Sequence, residues 1–167
     1  MISLVLDPSR LRLGVAGSGP AAERRLSLLR AAGAEPLALS ASPGPGIPAL
    51  DLLWIADLTP PEAARLAAAA RAQGALVNVE DQPALSDFRN TAELRRGDLL
   101  VSVSTGGQSP GLAGAIRDRI GALFGPDWAG RVAALGARRR IWRAEGRGLA
   151  ELARLSREAI ARSGWLA

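Results

Sequence analysis

Histidine, cysteine, tyrosine and lysine are all missing from this chain of 167 residues. Without cysteine there are no disulfides, thiolate nucleophiles or cysteine zinc sites. Without histidine the commonest proton shuttle and metal ligand is gone. Proton chemistry must fall to carboxylates, and any metal would meet oxygen donors or nitrogens carried by a ligand. Aromatic residues make up only 4% of the chain. No basic stripe interleaved with aromatics is present, which argues against nucleic-acid binding. No apolar run reaches the roughly 18 residues that a membrane span needs. The opening stretch MISLVLDPSR lacks a basic leader with an apolar run and cleavage site. A soluble, cytoplasmic protein with no membrane partner is therefore expected.

What is present is apolar residue in quantity, 48% of the chain, dominated by Ala and Leu. That suffices for one domain, or one domain with a small appendage, and Ala and Leu favour helices. The net charge is +5, and all 21 basic residues are Arg. A bias of gene base composition explains the preference for Arg as well as function does. The guanidinium fork nevertheless suits carboxylates and phosphates, so a polyanionic small molecule is the natural partner.

The chain is punctuated by Pro and Gly. Ile2 to Leu6 is a short apolar run stopped by Asp7-Pro8. Leu11 to Ala16 is a second run, a strand entering Gly17-Ser18-Gly19. Ala21 to Ala32 has helical periodicity with Gly33 placed to end it. Pro36 to Leu39 reads as strand, Ser40 to Pro48 as loop, and Leu52 to Ala56 as strand. Thr59-Pro60 opens a helix reaching about Ala72, and Leu76 to Val79 is a further strand. Strands alternating with helices predict an α/β fold with a parallel sheet. Past residue 90 the pattern changes. Arg95 to Asp98 is polar, Leu99 to Ser104 is a strand, and Pro110 to Phe124 is helical. From Trp128 onward the chain is helical with a break at Glu145 to Gly148.

Gly17-Ser18-Gly19-Pro20-Ala21-Ala22 fits a dinucleotide fingerprint with Ala in the third glycine slot. The first Gly permits the sharp turn, the second lets backbone approach a pyrophosphate, and the helix amino end attracts the phosphates. The plain alternative is an ordinary strand–helix turn. The acid expected at the end of the second strand, where the ribose would lie, is replaced by Ser40-Ala41-Ser42. Asp81, in the stretch LVNVEDQPALSDF, stands just past a strand end. It reads either as a proton acceptor or as a strand-end cap paired with an Arg. Glu80 faces solvent or an Arg, and Asp87 is structural. Thr105-Gly106-Gly107 is either a plain turn or a set of backbone donors for a carboxylate.

Three segments together resemble the N-terminal module of the siroheme synthase family. They are GSGPAAERRLSLLRAAGA, ALVNVEDQPALSDF and RRGDLLVSVSTGGQSPGLAGAIRDRI, and GARRRIW resembles the start of that module's C-terminal helices. The resemblance implies a Rossmann-like parallel sheet domain over 1–90, a small α+β dimerisation region over 91–125 and a helical C-terminal region over 126–167. It implies NAD-dependent oxidation of precorrin-2 to sirohydrochlorin by a homodimer, in some members with ferrous iron insertion. It places the acting acid on Asp81. It places cofactor contacts on Gly17, Ser18, Gly19, Pro20, Ala21, Ser40, Ala41, Ser42, Ala56 and Asp57. Tetrapyrrole contacts fall on Asn78, Ser104, Thr105, Gly106 and Gly107. The chain departs from the family after the third strand, where Ala56-Asp57-Leu58-Thr59 stands in place of Ala-Thr-Asp-Asp.

Overall fold

A computed structural model of the protein describes residues 2–41 and 46–166. The chain forms two compact units, Met1–Asn90 and Thr91–Ala167.

Unit 1 is an α/β layer structure. Four parallel strands, β1 (Leu13–Ala16), β2 (Leu37–Leu39), β3 (Leu52–Ile55) and β4 (Leu76–Val79), lie in the order β2-β1-β3-β4. Helix α1 (Pro20–Ala31) links β1 to β2, and α2 (Pro60–Ala72) links β3 to β4. Successive side chains of a strand point to opposite faces. Leu13, Val15, Leu52 and Trp54 therefore gather with Ala22 of α1 on one face. Leu53, Ile55, Val77 and Val79 gather with Ala63, Leu66 and Ala70 of α2 on the other. Both faces being covered, β1 and β3 are buried along their whole length and read as unbroken apolar runs. The apolar run 2–6 stays outside regular structure, and Pro8–Arg10 forms a single 3-10 turn.

Both helices begin and end where the punctuation places them. α1 has Gly19 at its N-cap and Pro20 at its first position, and Gly33 follows it at φ +84°. At the start of α2, Glu62 accepts the Thr59 N–H at 3.0 Å. The Thr59 hydroxyl also donates to that carboxylate at 2.5 Å, and these bonds hold the Glu62 carboxyl below its usual range.

Unit 2 opens with an antiparallel hairpin, β5 (Ala92–Arg96) and β6 (Leu99–Val103), turning at Gly97-Asp98. Gly97 holds φ +57° against Ala129, as the tight turn requires. Helices α3 (Pro110–Leu123), α4 (Trp128–Ala144) and α5 (Leu149–Ser163) follow. α3 packs on the hairpin and α4 on α5. The polar stretch at Arg95-Arg96 thus lies inside a strand rather than between elements. Among the described residues no helix is long and apolar enough to cross a membrane.

Candidate active site

In an open parallel sheet, ligands bind beyond the carboxyl ends of the strands. At that edge the chain leaves β1 through Gly17, β3 through Ala56-Asp57 and β4 through Glu80-Asp81. The ladder continues there: the Ala56 N–H donates to the Ala16 carbonyl at 3.0 Å, and the Glu80 N–H to the Ile55 carbonyl at 2.9 Å. Asp57 and Asp81 follow at equivalent places on neighbouring strands. Both lie in the left-handed region at φ +56°, the only described non-glycine residues to do so. Aspartate tolerates that conformation better than most side chains.

Asp81 is exposed. It occupies a tight turn in which the Gln82 N–H donates to the Val79 carbonyl at 3.2 Å. Its neighbours have other tasks. Glu80 pairs with Arg24 of α1 at 3.5 Å. Asp87 accepts from Arg71 Nε and from the Val77 N–H, both at 2.9 Å. Burial pushes the Asp87 carboxyl up, but those bonds outweigh it and hold it below its ordinary value. Glu80 and Asp87 are therefore scaffold groups, as their sequence context indicates, and Asp81 is left facing solvent.

Asn78 is different. It is buried, and its side chain sits in a chain of bonds. Its Nδ2 donates to the Phe88 carbonyl and its Oδ1 accepts from Asn90 Nδ2, each at 2.9 Å. Asn90 Oδ1 in turn accepts from Trp54 Nε1 at 2.9 Å. The Asn78 amide is thereby engaged in tying the segment after β4 to the sheet. Nothing in the spacing of the sequence points to this network, since Trp54 and Asn90 are 36 residues apart.

The glycine turn has the geometry its residues suggest. Gly17 sits at φ +127°, where a Cβ would stand 1.9 Å from the Ala56 carbonyl oxygen. Only glycine fits. A Cβ at Gly19 would lie 2.5 Å from the Asp57 Cγ. The Asp57 carboxylate rests over the second glycine and accepts the Ala22 N–H at 2.8 Å. Asp57 thus caps α1 from across the sheet edge, a role not visible in the sequence. Ser40 and Ala41 follow β2, and Ser42 lies outside the described residues.

In unit 2 the turn Ser104-Thr105-Gly106-Gly107 leads from β6 into α3. Gly106 and Gly107 are left-handed, at φ +68° and +83°. The Thr105 hydroxyl donates to the Ser109 carbonyl at 2.9 Å and accepts the Ser109 N–H at 3.1 Å. The Gly106 N–H donates to Ser104 Oγ at 3.2 Å. Internal bonds thus fix the turn's shape, and the Gly106 donor is engaged in them. Among the described residues no group of three His, Cys, Asp or Glu side chains is placed to hold a metal ion.

Comparison with known proteins bears on this arrangement. Residues 96–123, which include the Ser104–Gly107 turn, match the family model described as sirohaem biosynthesis protein, central. A siroheme synthase of Ectopseudomonas mendocina is 38% identical over 118 residues, covering 71% of this chain and 25% of that protein. The siroheme synthase of Methylococcus capsulatus is 53% identical over 57 residues, 34% of this chain and 12% of the other. The chain is a homologue of siroheme synthases. It spans a quarter or less of the length of these two relatives. The fold of this siroheme synthase homologue also matches a solved structure titled SirC, precorrin-2 dehydrogenase. That match has a TM-score of 0.71 at 17% identity, over 100% of this chain and 93% of the other.

The shape of the glycine turn fits the dinucleotide expected from the sequence. Gly17 closes the bend against Ala56, Gly19 carries no Cβ, and the amino end of α1 follows directly. One side chain already occupies the amino end of α1, the Asp57 carboxylate on the Ala22 N–H.

Proposed function

We propose that the protein oxidises precorrin-2 to sirohydrochlorin with NAD as hydride acceptor. The supporting observation is the place of Asp81. It is an exposed carboxylate at the carboxyl edge of the sheet whose first strand carries the glycine turn. Gly17, Ser18, Gly19, Pro20 and Ala21 would hold the pyrophosphate of NAD. Ser40, Ala41 and Ser42 would hold its ribose, and Ala56 and Asp57 would line the way to its nicotinamide. When bound, NAD supplies the hydride-accepting ring.

The remaining work falls to side chains and backbone of this chain. The oxidation removes a hydride and a proton and extends conjugation in the macrocycle. Asp81 takes the proton, a step worth on the order of 10²–10⁴-fold when a base is well placed. The substrate is a polycarboxylate, and arginines supply its counter-charge. The Ser104–Gly107 turn offers the Ser104 hydroxyl proton to a substrate carboxylate, the Thr105 hydroxyl being held by Ser109. Should the same chain also insert ferrous iron, the macrocycle brings the four nitrogens, and Asp81 is again the acceptor for the pyrrole protons. Positioning supplies most of the rate. We further propose a homodimer joined through unit 2, where Leu112, Ile116 and Leu123 of α3 stand exposed.

Anaerobic incubation with precorrin-2 and NAD tests the proposal, followed by absorbance of NADH and sirohydrochlorin. Formation of both at equal rates is expected, with iron added in a later arm. Sirohydrochlorin binding without any NADH would sink the dehydrogenase. It would leave a second reading, a tetrapyrrole-holding protein of the same fold that does not turn over. One observation favours that alternative, the Asp57 carboxylate lying where a phosphate would bind.

A further inference from the structure

The amino end of α1 has few donors to offer an anion. The N–H groups of the N-cap and first three helical residues have no partner within a helix. Here those residues are Gly19, Pro20, Ala21 and Ala22, and Pro20 has no N–H. Of the three donors that remain, the Ala22 N–H is given to Asp57 at 2.8 Å. The carboxylate does more than draw off one bond. It fills the volume that the missing side chain of Gly19 leaves, with Oδ2 2.7 Å from the place of a Cβ there. It also brings a full negative charge to the helix end whose partial positive charge favours anions. A phosphate at this turn would have to displace that carboxylate or stand beside it.

We propose that Asp57 is a specificity-determining residue that holds the affinity of the glycine turn for dinucleotides low by occupying their phosphate position. The inference rests on the reading of this turn as the nucleotide seat. Asp57 is an internal anion, and NAD binding is an exchange of one anion for another at the end of α1. Like charges a few ångströms apart near a protein surface repel, so removing the charge tightens NAD by about tenfold. Adenosine, which lacks the phosphates, gains nothing.

The test is calorimetric titration of the full chain with NAD and, separately, with adenosine. Asp57→Asn keeps an oxygen for the Ala22 N–H while removing the charge. Asp57→Gly, which suits the left-handed backbone at this position, provides a second neutral variant should the first lose its fold, which far-UV circular dichroism reports. The expected result is a dissociation constant for NAD at least tenfold lower in the neutral variants, with that for adenosine unchanged within twofold. If the neutral variants bind NAD no better than the parent, or gain equally for adenosine, the proposal is overturned while the nucleotide seat stands. If neither parent nor variants bind NAD at millimolar concentration, both the proposal and the underlying reading fall.

Discussion

The two units solve the problem of burial differently. Unit 1 covers both faces of its sheet with its own helices, and nineteen of its described apolar residues are buried. Unit 2 buries four, namely Leu94, Ala113, Leu152 and Ala159. Unit 1 exposes apolar side chains too, Leu28 on α1 among them, but unit 2 does so on every one of its helices: Leu112, Ile116 and Leu123 on α3, Ile141 on α4 and Leu149 on α5. A two-stranded hairpin is marginal by itself, and α3, with α4 at the hairpin turn, gives it little cover. The difference teaches that unit 1 carries its own stability, while unit 2 is built as though another surface completes it. The exposed carboxylate of Asp81 belongs to the well-supported unit, and the exposed apolar row of α3 belongs to the other.

The sharpest probe of this division is Asp81→Asn, which keeps a side chain that tolerates the left-handed backbone. If unit 1 supplies the chemistry, precorrin-2 oxidation falls by about 10²–10⁴-fold, while the melting temperature holds steady. Loss of activity together with unfolding would place Asp81 in the scaffold instead. Second in size is the core of unit 1. Leu53 is fully buried between β1, β4 and α2, and Leu53→Ala should cost about 2–5 kcal/mol in urea denaturation. Its counterpart in unit 2, Leu123→Ala, should lie within about 0.5 kcal/mol for a chain kept monomeric by dilution. Comparable losses at both positions would break the contrast. Replacing Leu112 and Ile116 together by Glu should shift sedimentation from dimer to monomer without moving the melting of unit 1. A parent chain that sediments as a monomer at high concentration would remove the reason for the exposed apolar row.

The smallest effect concerns acid. Asp51 accepts from the Arg12 guanidinium at 2.8 Å and from the Arg12 N–H at 2.7 Å. These bonds draw its carboxyl from 3.8 down to about 2. A carboxyl lowered by folding adds stability above its unfolded value and loses it as pH falls toward the folded one. Unit 1 should therefore lose a small increment between about pH 4 and pH 2, and Asp51→Asn should flatten that part of the acid melt. Solvent screening of this half-buried pair keeps the increment slight.

How much of this was legible in the sequence follows from burial. β1, β3 and β4 are short apolar runs bounded by Pro, Gly or Asp, and the two helices beside them carry proline starts and glycine stops. Their limits could be read to within a residue or two. β5 could not. Its sequence AELRR has one buried side chain, Leu94, and its two arginines look like a loop when the partner strand is unknown. In the candidate site, the glycines and Asp81 announce themselves by type and position. Asp57 and Asn78 do not, because what defines them is distant in sequence: Asp57 bonds a helix 35 residues earlier. Such bonds exist only once the sheet has set its strand order.

The left-handed backbone at Asp81 has a consequence for engineering. Glycine would occupy that conformation without the steric cost an L side chain bears. Asp81→Gly would relax the turn after β4 and delete its carboxylate in one exchange. Robustness and turnover would then move in opposite directions, so a screen for heat resistance alone would select against the very group on which the proposed oxidation rests.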